Sequence, residues 1–209
     1  MRCLPAATGR VSVFSAPAIC LTNAHGRTGH YLRVPTPIAV LLIEETLRNY
    51  PVDGLELTLN YVPYYFHPAE IADGSVIMTA FIARVAEMVR ETPGRHLTIR
   101  VPASLEFCAS VGLDVAAWMA AGLVDVLVAQ PLHIPNDNYG PSIGDADMDP
   151  TYDYSAFVQA AAATPCRFHA VLQSSVHSDR LEEGTIEYIR GAACNLWAQG
   201  VDGLFLSSW

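Results

Sequence analysis

Residues 35–60 read PTPIAVLLIEETLRNYPVDGLELTLN, a helical pattern that runs straight into a strand. Ile38, Leu41, Leu42 and Leu47 recur at the three- and four-residue spacing of one helix face, with Thr36 placed to cap the first turn and Pro37 inside it. Val52-Asp53-Gly54 then opens an apolar strand in which Glu56 alternates with Leu55 and Leu57. The same order recurs along the chain, with strands predicted at 11–15, 54–60, 96–102, 124–129, 167–173 and 202–207. Helices are predicted over 35–50, 75–91, 115–121, 156–163 and 182–199. Asp114 is placed to cap the third of these helices, Gly122 to stop it and Gly200 to end the last.

Strand, crossover helix and strand, repeated, require parallel pairing with right-handed crossovers. Six such strands fit either an open doubly wound sheet or part of a closed (β/α)8 TIM barrel. The dinucleotide fingerprint G-x-G-x-x-G is absent, which removes the main positive sign of the open sheet, so the α/β barrel is the predicted fold. At 209 residues the chain falls short of the ~250 typical of a complete barrel, and one incomplete barrel domain over 1–209 is expected.

Hydrophobic residues make up 51% of the chain and charged ones 16%, as suits strands covered on both faces. No apolar run reaches the ~18 residues of a membrane span, so no membrane partner is expected. All twelve basic residues are arginine, which excludes a Schiff-base lysine and a P-loop lysine from this segment. The net charge of -9 is spread along the chain without an arginine cluster among aromatics, so nucleic acid is not an expected partner.

The five cysteines form no C-x-x-C pair and read as scattered buried thiols. No H-x-H or H-E-x-x-H spacing argues for zinc, and neither a metal nor a cofactor is expected. The apolar stretch Val11 to Leu21 is interrupted by Pro17 and reads as a strand rather than a signal peptide, leaving localisation open.

Three stretches carry a family resemblance: 50–66 (YPVDGLELTLNYVPYYF), Arg100-Val101-Pro102 with 112–125 (GLDVAAWMAAGLVD), and 190–206 (RGAACNLWAQGVDGLFL). Together they resemble the glycosyl-hydrolase-like family 10 barrels over most of residues 35–209. The resemblance implies that the strands from 52–59 to 202–207 are the fourth to eighth of a barrel. The third would then lie within Val11 to Cys20 with Asn23 and His25 at its end, and the first two strands and the last helix would fall outside this chain. It also implies a poly- or oligosaccharide substrate and carboxylate chemistry. Where that family commonly has E-L-D, this chain has Glu56-Leu57-Thr58, so one of the two implied acids is missing.

Barrel enzymes place their chemistry at the C-terminal ends of strands, which ranks Glu56, Asn60, Arg100, Gln130, His133, Gln173 and Trp209 as candidates. Glu56 is expected to face the barrel interior and to take a bidentate contact from Arg100, either as a catalytic acid/base pair or as an ion pair holding the barrel. Tyr61, Tyr64 and Tyr65 are expected either to stack on sugar rings or to cover the core beneath their loop. Glycoside hydrolysis usually needs two carboxylates ~5–9.5 Å apart, yet the strand at 167–173 ends in Gln173, Ser174 and Ser175.

The loop 130–154 is long enough to suggest function. Its carboxylates at Asp145, Asp147, Asp149 and Asp153 resemble a calcium loop, but Pro150 stands where the glycine belongs, so a solvated acidic loop is expected. The expected function is a glycoside hydrolase. The alternatives are a non-catalytic glycan-binding barrel and, from Gly200-Val201-Asp202-Gly203, a flavin- or phosphate-ligand barrel.

Overall fold

The computed structural model describes residues 11–15, 37–60, 63–133, 144–145, 148–177 and 182–207. Strand β1 (Val11–Ser15) lies beside β2 (Gly54–Thr58), followed by β3 (His96–Pro102), β4 (Val126–Gln130), β5 (Arg167–Gln173) and β6 (Gly203–Ser207). Every pair is parallel, and each strand's neighbour is the next of these in sequence. Helix α1 (Pro37–Asn49) precedes β2, and α2 (Ile71–Arg90) joins β2 to β3. Helices α3 (Leu105–Ser110) and α4 (Val115–Ala120) lead to β4, α5 (Ser155–Ala161) to β5 and α6 (Ile186–Ala198) to β6. This is an α/β protein with a parallel sheet alternating with helices, and the predicted strands match within two residues at either end.

Helix boundaries differ more, for local reasons. Helix α2 begins four residues earlier than predicted, because Pro68–Glu70 forms a 3-10 turn and His67 Nδ1 accepts from the Ala69 amide at 3.2 Å. Helix α6 begins later, at Ile186, capped by Thr185, whose hydroxyl accepts from Tyr188 N. Glu182–Glu183 instead pairs antiparallel with Ser175–His177. Helix α3 was not predicted; Ser104 Oγ accepts from Phe107 N at 3.1 Å and caps it. Asp114 caps α4 as expected, and Gly122 and Gly200 take φ of 64° and 89° where α4 and α6 end. Thr36 lies outside the described residues.

The two sheet faces differ in chemistry. Leu55, Leu57, Leu97, Ile99, Leu127, Phe168 and Leu172 join one large core with Met78, Ile82 and Val85 of α2, Trp118 of α4 and Phe157 of α5. Phe157 stacks on Phe168 with centroids 5.1 Å apart. On the opposite face Val126, Val128 and Val171 form a smaller cluster with Phe205. The register aligns Thr58, Arg100, Val128, His169 and Gly203 in one row on this second face. Gly203 is required there, since a Cβ would fall 2.5 Å from His169 Nε2.

At the N-terminal ends of the strands, two aspartates bind the neighbouring strand reciprocally. Leu97 N donates to Asp125 Oδ2 at 2.7 Å while Asp125 N donates to Leu97 O at 3.0 Å. Asp202 repeats the arrangement with Phe168, at 2.9 and 2.8 Å.

Candidate functional site

Four of the predicted residues meet near the C-terminal ends of β2 to β4. Glu56 lies two residues inside the end of β2, and strand alternation turns its carboxylate away from the leucines that pack under the helices. Arg100 lies two residues inside the end of β3, Gln130 ends β4, and Asn60 follows β2. Glu56 is 2% exposed, so its charge needs a partner. Arg100 supplies it: Nε donates to Glu56 Oε1 at 2.8 Å, and Nη2 donates to the same oxygen. The expected two-oxygen clamp is therefore replaced by two donors converging on Oε1, with Thr58 Oγ1 a long third donor at 3.4 Å. Oε2 is used by none of these bonds.

The chain of contacts continues upward. Arg100 Nη1 donates to Gln130 Oε1 at 3.3 Å, and Asn60 Nδ2 donates to that same oxygen at 2.7 Å. Arginine has donors only, so the Gln130 atom facing it is the carbonyl oxygen, and the Asn60 atom facing that oxygen is its amide nitrogen. This fixes Asn60 Oδ1 as an acceptor pointing elsewhere. It is buried and has no partner among the described residues. Phe205 of β6 packs under the guanidinium, 4.2 Å from ring centroid to Cζ.

Gln173 ends β5 on the same face. It is 2% exposed, and neither Oε1 nor Nε2 has a hydrogen-bond partner among the described residues. A buried amide with both ends unmet is costly, roughly 1–3 kcal/mol, and native structures keep few of them. Together with Asn60 Oδ1 it leaves three unsatisfied polar atoms at the carboxyl ends of β2 and β5. In sequence Gln173 ranks as a candidate by its strand-end position and stands where an acid is expected; its unmet amide is visible only in three dimensions.

Of the two uses expected of the aromatic loop, Tyr64 and Tyr65 take the covering of the core. Tyr65 is buried in the core and offers no open ring to a sugar, and burial pushes its phenol well above the ordinary range. Phe66 fills the space against Gly74 and Gly112. Tyr64 is half-buried, edge-on to Phe107 at 6.2 Å. These loop rings cover the core, Phe66 against α2 and the turn after α3 and Tyr64 against α3. Tyr61 and Trp209 lie outside the described residues, and His133 is described by its backbone alone, in a short strand pair of Leu132–His133 with Gly144–Asp145.

The described part of the long loop serves the fold. Asp149 Oδ1 accepts from Thr151 N and Oγ1, and Asp153 Oδ1 from Ser155 N, so both carboxylates hold local turns. The Ser155 contacts keep Asp153 below the usual carboxylate range. Tyr152 donates its hydroxyl to Ala103 O just after β3, and Tyr154 is buried against Phe168. Among the described residues no three His, Cys, Asp or Glu side chains gather as a metal site, and no helix is long and apolar enough to cross a membrane. The Gly200–Gly203 turn also has a structural use, since Asp202 clasps Phe168 at the opposite strand end from Gln173. Cys108 and Cys166 are buried and pushed up to about 12 and about 11, whereas Cys194 is exposed, contrary to the expectation of buried thiols throughout.

No protein-family model matches the chain, and no curated protein matches it.

Proposed function

We propose that this chain supplies strands three to eight of a (β/α)8 barrel whose C-terminal rim binds a poly- or oligosaccharide, with Glu56 as the carboxylate for hydrolysis of its glycosidic bonds. Barrel closure is supported by strand order. A doubly wound sheet reverses its order at a switch point, whereas β1 to β6 follow the sequence without reversal. Right-handed crossovers repeated in one direction put the helices on one face and free the other for the interior.

The observation that carries the carbohydrate reading is the buried chain Glu56–Arg100–Gln130–Asn60, whose Asn60 Oδ1, like the Gln173 amide at the end of β5, has no partner among the described residues. Sugar hydroxyls both donate and accept, so they match such atoms without new protein charge. Glu56 Oε2 is the atom left for chemistry, while Arg100 orients the carboxylate through Oε1. A second reading, glycan binding without hydrolysis, is favoured by Thr58 and Gln173 standing where a partner acid would be needed.

Reducing-sugar release and glycan binding, measured on one panel of polysaccharides with the native protein and Glu56→Gln, separate the two. Release that falls ~100-fold or more in the variant supports hydrolysis through Glu56. Binding without release by either protein supports the silent barrel, and neither binding nor release would count against carbohydrate altogether.

A further inference from the structure

The same site also constrains the charge of what it takes. We infer that it selects an uncharged, hydroxyl-rich ligand over an anionic one, an inference that rests on the carbohydrate reading above. Its unmet atoms are two acceptors, Asn60 Oδ1 and Gln173 Oε1, and one donor group, Gln173 Nε2.

A carboxylate or sulfate offers acceptors only. It would satisfy Gln173 Nε2 and set its own oxygens against the remaining acceptors. A hydroxyl donates to each acceptor and still accepts from the amide, so a polyol satisfies the set.

Among the described strand residues no spare cation offsets this. Among the described strand residues the arginines are Arg100 and Arg167. Arg167 begins β5 at the other end of the sheet, and Arg100 is neutralised by Glu56 and covered by Phe205. Bringing an anion to a rim where the Glu56–Arg100 pair is already closed leaves the incoming charge without a partner among the described strand residues.

Asn60 and Gln173 stand three strand steps apart, roughly 14 Å measured along the sheet and less across a curved one. One oligosaccharide reaches both, which separates this site from a pocket for a single small polyol.

The test is calorimetric binding of matched neutral and acidic oligosaccharides to the native protein and to Gln173→Leu, with thermal unfolding of the variant recorded alongside. Expected are binding of a neutral member, no measurable binding of its uronic or sulfated counterpart, and at least ~10-fold weaker neutral binding by a folded Gln173→Leu. An acidic oligosaccharide binding as tightly as its neutral counterpart overturns the charge inference and leaves the carbohydrate reading standing. Equal neutral binding by Gln173→Leu also overturns it. The native comparison decides by itself if the variant does not fold. Absence of binding by any glycan, neutral or acidic, ends both readings together.

Discussion

Removing Arg100 isolates the energetics of the pair at the heart of the site. In Arg100→Met the Glu56 carboxylate stays buried without its guanidinium. The Glu56 and Arg100 side chains are 3% and 14% accessible, so solvent screens the loss little. Breaking such a pair by deleting one partner costs about 3–5 kcal/mol, whereas replacing both partners by apolar groups is often neutral or stabilising. The expected result in urea unfolding is therefore a loss of about 3–5 kcal/mol for Arg100→Met and recovery to within ~1 kcal/mol of native for Glu56→Leu/Arg100→Met. Buried Trp118 provides a fluorescence signal in the core. A single variant within ~1 kcal/mol of native, or a double variant no more stable than the single, would refute the claim that Arg100 neutralises a desolvated charge.

Gln173→Leu is expected to stabilise the ligand-free protein by about 1–2 kcal/mol, because it deletes two unmet buried atoms; a lower urea midpoint than native would contradict this. Gly74→Ala sets helix propensity, worth ~1 kcal/mol in favour of alanine, against a Cβ placed 2.3 Å from the Phe66 ring. Overpacking costs ~1–3 kcal/mol and should win, so a stabilised variant in the same unfolding assay would show that Phe66 yields freely. Burial first, and then Arg167, hold the His169 imidazole below its ordinary 6.5, against the opposing pull of Asp202. The unfolded chain thus binds the proton more readily, so this contribution is whole above pH 6.5 and is lost as pH falls. Urea midpoints from pH 7 to 5 should drop less for His169→Gln than for native, and parallel curves would remove His169 from the account.

The strands were legible because their signal is distinct: Leu55 to Leu59 alternates leucine with Glu56 and Thr58, and Ala170 to Leu172 and Leu204 to Leu206 are short apolar runs beside clear helix patterns. Short helices were less so. Helix α3 spans six residues, too few for periodicity to register, and its one signal was Ser104 in the capping position. Alternation correctly turned Glu56 away from Leu55 and Leu57, and strand-end position correctly grouped it with Arg100, Asn60 and Gln130. Tyr65 could not be read that way. A tyrosine in a loop has the same sequence appearance whether its ring lies open or under a helix, and only the packing of Phe66 against Gly74 shows which. Strand-end position picked out Gln173, but not its unpaired amide, because an unmet hydrogen bond is a property of surroundings, not of residue type.

The reciprocal clasps of Asp125 with Leu97 and Asp202 with Phe168 divide labour between the two ends of the sheet. Alignment of β3 with β4, and of β5 with β6, is fastened at the N-terminal edge by a main-chain bond and a side-chain bond acting together. At the opposite rim β2, β3 and β4 are joined by Leu59 N to Arg100 O, by Ala103 N to Gln130 O and by the Glu56, Arg100, Gln130 and Asn60 side chains. Gln173, at the end of β5, takes no side-chain part in that fastening among the described residues, which makes it the rim position to alter in order to change what the protein holds.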